Sequence, residues 1–413
     1  MAIRTDCIIL GGGAAGLAAC AYLAGRGLHV TVVERLDRVG KKIMAAGNGR
    51  CNLSNEDMQP GCYGDAASFV SALYNQVPPQ EVLQFFADLG LMTASEEGRI
   101  YPRTMMASSV LDVLRNACDK ENVRMMTGCS AVSLTPSRRG GWSVQLENGE
   151  GLFAPCVLCA MGGSASPQLG TDGAGTSMLA ALGHSITPLY PALVQLKCDH
   201  GALKSLKGIR VPAALSLLID GRIAAQETGE LLFADYGVSG VCVFQLSQYA
   251  AKALHARRQV RLAVNLLPEI SPQALPLWLD KRIAQHASCD AQSLFTGVFA
   301  RLLTLALLKE ASVAPGAPAA SLTAQQRSAM VQAISAFSLP VTGTQGFKNA
   351  QVTAGGVSLD EVDPQTMASR LYDGLYIAGE TLDVCGPCGG YNLHFAFAGG
   401  LAAAKEIAAR AGR

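Results

Sequence analysis

Three glycines near the start of the chain, followed by one acid, have the types and spacing of a dinucleotide-binding site. Gly11, Gly13 and Gly16 form a G-x-G-x-x-G pattern, and Glu34 follows. In this pattern the first glycine permits a tight turn, the second leaves room for a pyrophosphate, and the third lets a helix pack closely on a sheet. A carboxylate at Glu34 accepts hydrogen bonds from ribose hydroxyls and repels a 2′-phosphate, so the site disfavours NADP.

The surrounding sequence supplies the elements that must position these residues. The apolar run Cys7–Leu10 predicts a buried strand, an Ala/Leu-rich segment after the glycines predicts a helix, and Val30–Val33 predicts a second strand that ends at Glu34. The helix N-terminus offers free N–H groups and a partial positive charge to phosphates. A glycine-rich turn in an ordinary α/β protein does not explain this order of elements. The pattern alone does not distinguish FAD from NAD.

Length and charge restrict the class of protein. The chain has 413 residues and a mass of 43.0 kDa, which indicates two or three domains. Its net charge is +1 and it has no block of Lys and Arg, so we expect no charge-driven binding of nucleic acid or of a membrane surface. Mean hydropathy is high at +0.24. No apolar run reaches the roughly 18 residues of a membrane helix, so we expect no stable membrane association.

Cysteine usage indicates a reducing compartment. The thirteen cysteines have no framework spacing. Asp6 and the glycine cluster interrupt the apolar N-terminal segment, which is not typical of a signal peptide. We therefore predict a cytoplasmic protein. Cys156 and Cys159 lie in an apolar run and are interpreted as core thiols, and no histidine pair has zinc-ligand spacing, so we predict no metal site.

The middle of the chain predicts several further elements. Residues 40–55 are rich in Gly and Asn with basic side chains and predict a loop. Apolar spacing predicts helices near 68–75, 80–90 and 105–121, and then a three-stranded β-meander over Val123–Leu134, Trp142–Leu146 and Leu152–Ala160. Residues 190–267 predict short strands with polar turns. Three helices are predicted after them, over Pro272–His286, Ala291–Lys309 and Ala324–Ala336.

The end of the chain repeats the pattern of the beginning. A predicted strand, Leu375–Ala378, ends at Gly379 and Glu380, and a glycine-rich loop leads into an Ala-rich helix. The N-terminus of that helix would face an electron-rich group. In a flavin site such a terminus stabilises the anionic reduced ring.

These motifs together resemble one family. The segments concerned are 6–34, GNGRCN at 47–52, LCAMGGSASPQLGTDGAG at 158–175, GELLFADYGVSGVCVFQLS at 229–247, VTAGGVSLDEVDP, and GLYIAGETLDVCGPCGGYN. They resemble the FAD-dependent flavoproteins that include the aminoacetone oxidases and the BaiN-type reductase of bile-acid-transforming bacteria. The similarity covers nearly the whole chain.

The resemblance implies an α/β fold with a glutathione-reductase-type Rossmann FAD domain, an inserted β-rich domain and a small helical subdomain. We place the FAD domain at 1–188 and 342–413, the β-rich substrate domain at 189–268 and the helical subdomain at 269–341. The cofactor is expected to be FAD, with NAD(P)H as a possible electron donor. The partner is a small-molecule substrate held between the FAD domain and the inserted domain, and the sequence leaves the oligomeric state open.

The resemblance also assigns cofactor-binding roles to matching positions. The contacts with pyrophosphate and adenosine come from the two ends of the first βαβ unit, from the meander and from the segment after it. The contacts with the flavin and the ribityl chain come from the GRCN loop and the C-terminal motif. The residues are Gly11, Gly13, Ala14, Ala15, Gly16, Glu34, Arg35, Lys42, Gly49, Arg50, Cys51, Asn52, Val132, Ala160, Gly162, Gly379, Glu380, Asp383, Gly390, Tyr391 and Asn392.

Two segments depart from the family pattern. The family's Ala-Thr-Gly is Ala160-Met161-Gly162 here, which loses one hydroxyl, and its Ser-Gly-Pro is Ser239-Gly240-Val241. Neither change removes a group on which FAD binding is expected to depend. Both changes weaken any inference of this chain's substrate preference from that of the family.

The catalytic residues are unknown from the sequence, with Tyr391, His394 and Cys388 as candidates. Tyr391 or His394 could deliver a proton as a general acid, or either could simply pack in the C-terminal helix. Cys385 and Cys388 form a C-G-P-C pair, which is either a redox dithiol or a turn that carries two thiols.

The leading hypothesis is an FAD-dependent oxidoreductase that transfers hydride between flavin and a small or medium apolar substrate. One version reduces an activated C=C, such as that of a 3-oxo steroid of the bile-acid type. The alternatives are an amine oxidase of the aminoacetone type that produces hydrogen peroxide, a non-catalytic flavin-binding sensor, and a thiol–disulfide enzyme. Because a second glycine fingerprint is missing, the chain has no dedicated nicotinamide domain.

Overall fold

A computed structural model describes residues 3–138 and 140–412, which contain twenty strands and twelve α-helices. The strands are β1 Ile3–Arg4, β2 Cys7–Leu10, β3 Val30–Glu34, β4 Ser54–Asn55, β5 Thr93–Glu96, β6 Arg99–Pro102, β7 Val123–Thr127, β8 Ala131–Pro136, β9 Trp142–Leu146, β10 Gly151–Ala154, β11 Cys156–Cys159, β12 Tyr190–Ala192, β13 Leu196–Cys198, β14 Arg210–Ile219, β15 Arg222–Ala234, β16 Gly237–Ser239, β17 Val260–Asn265, β18 Phe337–Thr344, β19 Val352–Ala354 and β20 Leu375–Ile377. The helices are α1 Ala14–Ala24, α2 Lys41–Ala45, α3 Ala67–Gln76, α4 Pro79–Asp88, α5 Ala107–Cys118, α6 Ala174–Ala181, α7 Leu203–Leu206, α8 Val241–His255, α9 Leu275–Gln285, α10 Arg301–Glu310, α11 Ala324–Ser335 and α12 Tyr391–Arg410.

The chain divides into two compact units, each with its own apolar core. One unit comprises Met1–Tyr190 and Gln351–Arg413, and the other is Pro191–Ala350. The helices α9, α10 and α11 lie in the same unit as the strands β13 to β18. The division into three domains made from the sequence, with a separate helical subdomain at 269–341, stays a prediction.

The first unit is built on a parallel five-stranded sheet in the order β20-β11-β2-β3-β7. The sequence Cys-Ile-Ile-Leu of β2 is buried at every position, as expected for a strand covered on both faces. Helix α12 crosses α1 closely because Gly400 faces the backbone of Ala15, where a Cβ would lie 2.3 Å from the carbonyl oxygen. This parallel α/β sheet confirms the Rossmann-type fold expected from the sequence.

The meander predicted after residue 123 is only partly correct. The antiparallel meander consists of β8, β9 and β10, whereas β7 and β11 join the parallel sheet. Local periodicity predicts that a segment is a strand but not which sheet it joins. The pairing of β11 with β2 and β20 depends on residues far away in the sequence.

The second unit contains a closed barrel in the order β13-β16-β15-β14-β17-β18. Buried residues alternate along β14, from Val211 through Leu215 to Ile219, so one face of the strand lines the barrel core. The helix α8 follows β16 and packs against β15. The prediction of only strands and turns over 190–267 is wrong for this segment, because the aromatic and β-branched start of the helix resembles a strand.

Two smaller predictions also need correction. Residues 40–55 are not only loop, since they contain α2 and a 3₁₀ turn over Ala46–Gly49. The helix predicted over Ala291–Lys309 is split into a 3₁₀ turn at Ser293–Phe295 and the helix α10. Gly297 adopts φ +79° between them, which ends the first piece.

Candidate functional site

The predicted cofactor motifs meet at one edge of the parallel sheet. The strands β2, β3, β11 and β20 run in the same direction and end at Leu10, Glu34, Cys159 and Ile377. The segments that follow these ends contain the glycine fingerprint, Arg35, the Ala-Met-Gly motif and the Ala-Gly-Glu motif. In open α/β sheets, ligands bind outside the carboxyl ends of the strands, so this edge is the candidate site.

The glycine fingerprint forms a cradle at the N-terminus of α1. Gly11 has φ +104°, and a Cβ there would lie 2.3 Å from the carbonyl oxygen of Ala160. A Cβ on Gly16 would lie 2.0 Å from the carbonyl oxygen of Gly11, whereas a Cβ on Gly13 would meet nothing within 4 Å. No side chain caps the helix at Gly13, so its first turn, which includes Ala14 and Ala15, can offer backbone N–H groups to a ligand. These residues fit the pyrophosphate of a dinucleotide.

Glu34 and Arg35 lie beside this cradle. The Glu34 carboxylate accepts hydrogen bonds from the backbone N–H groups of Gly12 (3.0 Å) and Leu36 (2.9 Å). These contacts hold the carboxylate at the end of β3, where a ribose would bind. Arg35 forms an ion pair with Asp172. Val132, expected to meet adenine through its backbone, lies in β8 where the register with β9 shifts, and it is 56% exposed.

The side chains of Lys42 and Glu380 connect the segment that contains α2 to the C-terminal Ala-Gly-Glu motif. The Lys42 ammonium donates a hydrogen bond to the Glu380 carboxylate, and both side chains are half-buried. The other carboxylate oxygen of Glu380 accepts from the backbone N–H of Thr353 at 2.9 Å. Gly379, with φ +72°, precedes Glu380, and Asp383 accepts from the backbone N–H of Gly355 at 3.1 Å.

Threonine side chains support this region in a way that the sequence analysis did not find. The Thr353 hydroxyl accepts hydrogen bonds from the backbone N–H groups of Ser164 (2.8 Å) and Ala165 (3.0 Å). The Thr381 hydroxyl accepts from the backbone N–H of Gly162 at 3.1 Å. These bonds join residues roughly two hundred positions apart, so no local pattern could indicate them. They hold the segment after β11, which includes Ala160 and Gly162, against the C-terminal motif.

The GRCN loop places its four residues in different surroundings. The Arg50 guanidinium contacts the Glu96 carboxylate at 2.9 Å and lies over the Tyr101 ring at 4.6 Å. Cys51 is fully buried, and burial raises the pKa of its thiol to about 12. A Cβ on Gly49 would meet nothing within 4 Å, and the neighbouring Asn52 backbone packs close to Gly47. Cys51 is therefore a neutral thiol rather than a nucleophile.

The start of α12 is held by the loop that precedes it. Gly390 adopts φ +102°, and a Cβ there would lie 2.3 Å from the Ser54 carbonyl oxygen. The Asn392 amide accepts from the Gly386 N–H (2.8 Å) and donates to the carbonyl oxygens of Gly386 (2.9 Å) and Pro387 (3.2 Å). The Asn392 side chain therefore stabilises the loop that precedes α12. The expected contact with the isoalloxazine stays a prediction for Gly390, Tyr391 and Asn392.

Tyr391 belongs to a buried group of tyrosines. The Tyr63 hydroxyl donates to the Tyr391 carbonyl oxygen at 2.9 Å and lies 2.8 Å from the Tyr74 hydroxyl. The rings of Tyr63 and Tyr391 meet edge to face, with centroids 6.0 Å apart. Burial and the neighbouring Cys62 thiol raise the pKa of Tyr391 to about 12. Its phenol is therefore protonated at neutral pH.

His394 is a core residue in this structure. It is fully buried, and its Nδ1 lies 2.9 Å from the Ser54 hydroxyl. Its Nε2 has no hydrogen-bond partner among the described residues, and the Tyr74 ring packs edge to face at 5.6 Å. Burial lowers the pKa of His394 to about 3. The imidazole is neutral at physiological pH and cannot serve as a general acid there.

Cys385 and Cys388 lie in the loop before α12 and are not joined by a disulfide. Burial raises the pKa of Cys385 to about 12, with further contributions from Glu380 and Cys388. Since the thiolate is the nucleophile in thiol–disulfide exchange, such a pKa disfavours a reactive dithiol.

Two further properties of the described residues concern metal ligands and membrane helices. Across 3–138 and 140–412, His, Cys, Asp and Glu side chains form no group of three or more that could hold a metal ion. In the same part of the chain, every helix is too short or too polar to cross a membrane.

Sequence comparisons match the chain over nearly its full length. The family model described as HI0933-like protein Rossmann domain matches residues 5–406. A 3-dehydro-bile acid delta(4,6)-reductase of Clostridium scindens is 40% identical over 410 residues, which is 97% of this chain and 98% of that protein. A ribosomal RNA dihydrouridine synthase of Escherichia coli is 27% identical over 412 residues and 98% of each chain.

Solved structures share the fold at low sequence identity. A 3-ketosteroid delta1-dehydrogenase from Sterolibacterium denitrificans matches with a TM-score of 0.51 and 14% identity, over 98% of this chain and all of that one. The FrdA subunit of E. coli quinol fumarate reductase matches with a TM-score of 0.51 and 13% identity, over all of this chain and 71% of that one.

Proposed function

Because the chain belongs to the HI0933-like family of Rossmann-domain proteins, we propose that it is a reductase of the activated C=C of a 3-oxo steroid of the bile-acid type. The chain is an FAD-dependent oxidoreductase. The observation that carries the substrate class is the 40% identity, over nearly the whole of both chains, to a 3-dehydro-bile acid delta(4,6)-reductase. Both relatives' names describe saturation of a carbon–carbon double bond, which supports reduction over amine oxidation.

The residues of the first unit fit FAD. The open N-terminus of α1 at Gly13 would hold the pyrophosphate, Glu34 the adenosine ribose, and Glu380 with Lys42 the ribityl chain. When bound and reduced, FAD would supply the hydride for the electron-poor carbon of a conjugated ketone. The N-terminus of α12 at Gly390 carries a partial positive charge, which stabilises negative charge placed beside it.

We assign the proton-donor role to Tyr391 rather than to His394. The Tyr391 phenol remains protonated up to high pH, whereas the His394 imidazole holds no extra proton above its lowered pKa of about 3. A donor that is neutral and protonated can protonate the carbon next to the one that receives the hydride. The Tyr63 hydroxyl fixes the backbone of Tyr391 and thereby orients its side chain. Cys388 receives no role in this proposal.

Anaerobic stopped-flow absorbance tests the function. The purified holoenzyme is reduced with dithionite and mixed separately with a 3-oxo-Δ4 steroid and with air-saturated buffer, and the oxidised holoenzyme is mixed with aminoacetone. Fast return of the oxidised flavin spectrum with the steroid, together with a saturated product by mass spectrometry, is the expected result. Fast reaction with oxygen and none with the steroid would instead establish an oxidase, and reactivity with neither would indicate a sensor.

A further arm separates the two kinds of relative. The reduced enzyme is also mixed with ribosomal RNA that lacks dihydrouridine. The net charge of +1 gives the chain little general attraction for RNA phosphates, and we expect no reaction. Reaction with the RNA and not with the steroid would overturn the assigned substrate.

The cytoplasmic location is part of the same proposal. All thirteen cysteines lie in the described residues and none forms a disulfide, which is typical of a reducing compartment.

A further inference from the structure

We propose that a cleft between the residues before and within α2 and the helix α5 binds the phosphates of the reduced pyridine nucleotide that supplies the electrons. The cleft is open to solvent and has a volume of about 400 Å³, which is within the range of small-molecule sites. Arg38, Lys41 and Arg115 line it together with a single carboxylate, Asp112. The inference depends on the proposed function in one respect, namely that a reductase needs a donor.

The charges of the cleft favour an anion. Its lining holds three cations and one carboxylate. Arg115 donates a hydrogen bond to the Val39 carbonyl oxygen at 3.4 Å, which holds its guanidinium against the cleft wall. At the edge of the cleft, Lys41 forms an ion pair with the exposed Asp37. Arg38 is exposed to solvent. Guanidinium groups are well suited to phosphates because they can donate two parallel hydrogen bonds.

The remaining wall is apolar and suits a flat ring. Val39 and Leu111 are buried at the base, and the Met44 side chain is 41% exposed beside them. Methionine adapts to aromatic surfaces through its flexible thioether. A cluster of cations next to a small apolar surface fits a phosphorylated nucleoside better than an inorganic anion.

The residues that line the cleft differ from those predicted to bind FAD, although Val39 of the lining packs against Gly12 of the fingerprint. Lys42 reaches Glu380 at the sheet edge, whereas its neighbour Lys41 lines the cleft with α5. Gly40 packs against Leu111, so the segment before α2 closely contacts α5. The chain carries one glycine fingerprint, which FAD uses, so a second nucleotide needs a site of another kind.

The electron balance of the reaction requires a two-electron donor, and the proposal assigns NAD(P)H to that role. Saturation of one C=C consumes two electrons and two protons. NAD(P)H supplies a hydride and becomes NAD(P)⁺, while the second hydrogen comes from a proton of the solvent. The overall change is therefore NAD(P)H + H⁺ + C=C to NAD(P)⁺ + CH–CH.

The test uses the holoenzyme and three variants of the cleft, Arg38→Ala, Lys41→Gln and Arg115→Ala. Dissociation constants of NADP⁺ and NAD⁺ are measured by isothermal titration, and those of NADPH and NADH from the concentration dependence of anaerobic flavin reduction. Loss of one charge-assisted contact is expected to weaken nucleotide binding by about tenfold. Arg26→Ala is the matched control, because Arg26 lies over the Tyr22 ring just beyond the C-terminal end of α1.

A separate arm distinguishes failure of this inference from failure of the proposed function. Each variant is reduced with dithionite, which bypasses the nucleotide, and is then mixed with the 3-oxo-Δ4 steroid. Unchanged flavin content and an unchanged rate in this arm, with weakened nucleotide binding, would support the cleft. Failure of the wild-type enzyme in this arm would count against the proposed function alone.

Three results would overturn the inference. The first is unchanged binding of all four nucleotides in the three variants. The second is a wild-type holoenzyme that neither binds nor is reduced by NADH or NADPH. The third is an increase in KM for a steroid carboxylate without any change in nucleotide binding, which would assign the cleft to the anionic end of the substrate.

Discussion

The Lys42 ammonium donates a hydrogen bond to the Glu380 carboxylate across 338 positions of sequence. The pair joins the segment after the first βαβ unit to the C-terminal motif, and both side chains are half-buried. Glu380 in turn accepts from the backbone of Thr353, so three distant segments meet at one carboxylate. Because these segments are far apart in the sequence, none of them alone determines the arrangement of side chains at this edge of the sheet.

Replacing Lys42 is expected to weaken FAD binding. In Lys42→Met the Glu380 carboxylate loses its cation and faces the cofactor with an uncompensated charge. The loss of one charge-assisted hydrogen bond corresponds to about 2 kcal/mol. The measurement is the dissociation constant of FAD for the apoprotein, by fluorescence quenching. Lys42→Arg is the control and should retain most of the affinity, and equal affinity in wild type and Lys42→Met would contradict the role given to the pair.

Two glycines of the fingerprint are expected to fail in different ways. Gly13→Ala should fold, because its φ of −88° suits alanine and a Cβ meets nothing within 4 Å, but the methyl group should obstruct the pyrophosphate. Gly11→Ala should lose stability even without cofactor, because the residue has φ +104° and its Cβ would lie 2.3 Å from a carbonyl oxygen. Thermal unfolding of both apoproteins, together with FAD titration, separates the two effects. A Gly13→Ala protein that retains full flavin content would contradict the role of Gly13 in leaving room for the pyrophosphate.

The burial of His394 predicts a particular pH dependence of stability. Its pKa is lowered to about 3 in the folded protein, whereas an unfolded histidine titrates near 6.5. The unfolded state therefore binds more protons between these values, and stability is lost as pH falls from about 6.5 toward 3. At pH 5 the loss is about 2 kcal/mol relative to pH 7.

The contribution of His394 is isolated by comparing wild type with His394→Gln. Urea unfolding at pH 5 and pH 7 gives the free energy of unfolding for both proteins. The variant should lose less stability than wild type on acidification, because glutamine does not titrate. Other groups that titrate in this range affect both proteins alike. Identical pH dependence in the two proteins would show that the pKa of His394 is the same in the folded and unfolded states.

The two thiols of the C-terminal loop are expected to be structural. Burial raises the pKa of Cys385 to about 12, so little thiolate exists at neutral pH. Cys385→Ser and Cys388→Ser should both retain turnover with the steroid, and Cys385 should react slowly with iodoacetamide in the native protein. Loss of turnover in Cys385→Ser, with an unchanged flavin spectrum and unfolding temperature, would restore the thiol–disulfide alternative.

Much of the nucleotide-binding half could be predicted from the sequence because its signals are local. The fingerprint, α1, β2 and β3 lie within one continuous segment, and Glu34 ends the second strand of that segment. The C-terminal motif repeats the same strand, glycine and helix order. Backbone geometry ties each glycine to the turn or close approach that it permits, so position in the sequence predicts position in the site.

The tertiary structure decided the relations that depend on residues distant in the sequence. It paired Lys42 with Glu380 and Arg50 with Glu96, and it buried His394 beside Ser54 and Tyr74. It also placed β7 and β11 in the parallel sheet and closed β13 to β18 into a barrel. Residue type determines what a side chain can donate, accept or bury. Its partner, its exposure to water and hence its protonation state depend on the packing of segments that no local pattern connects.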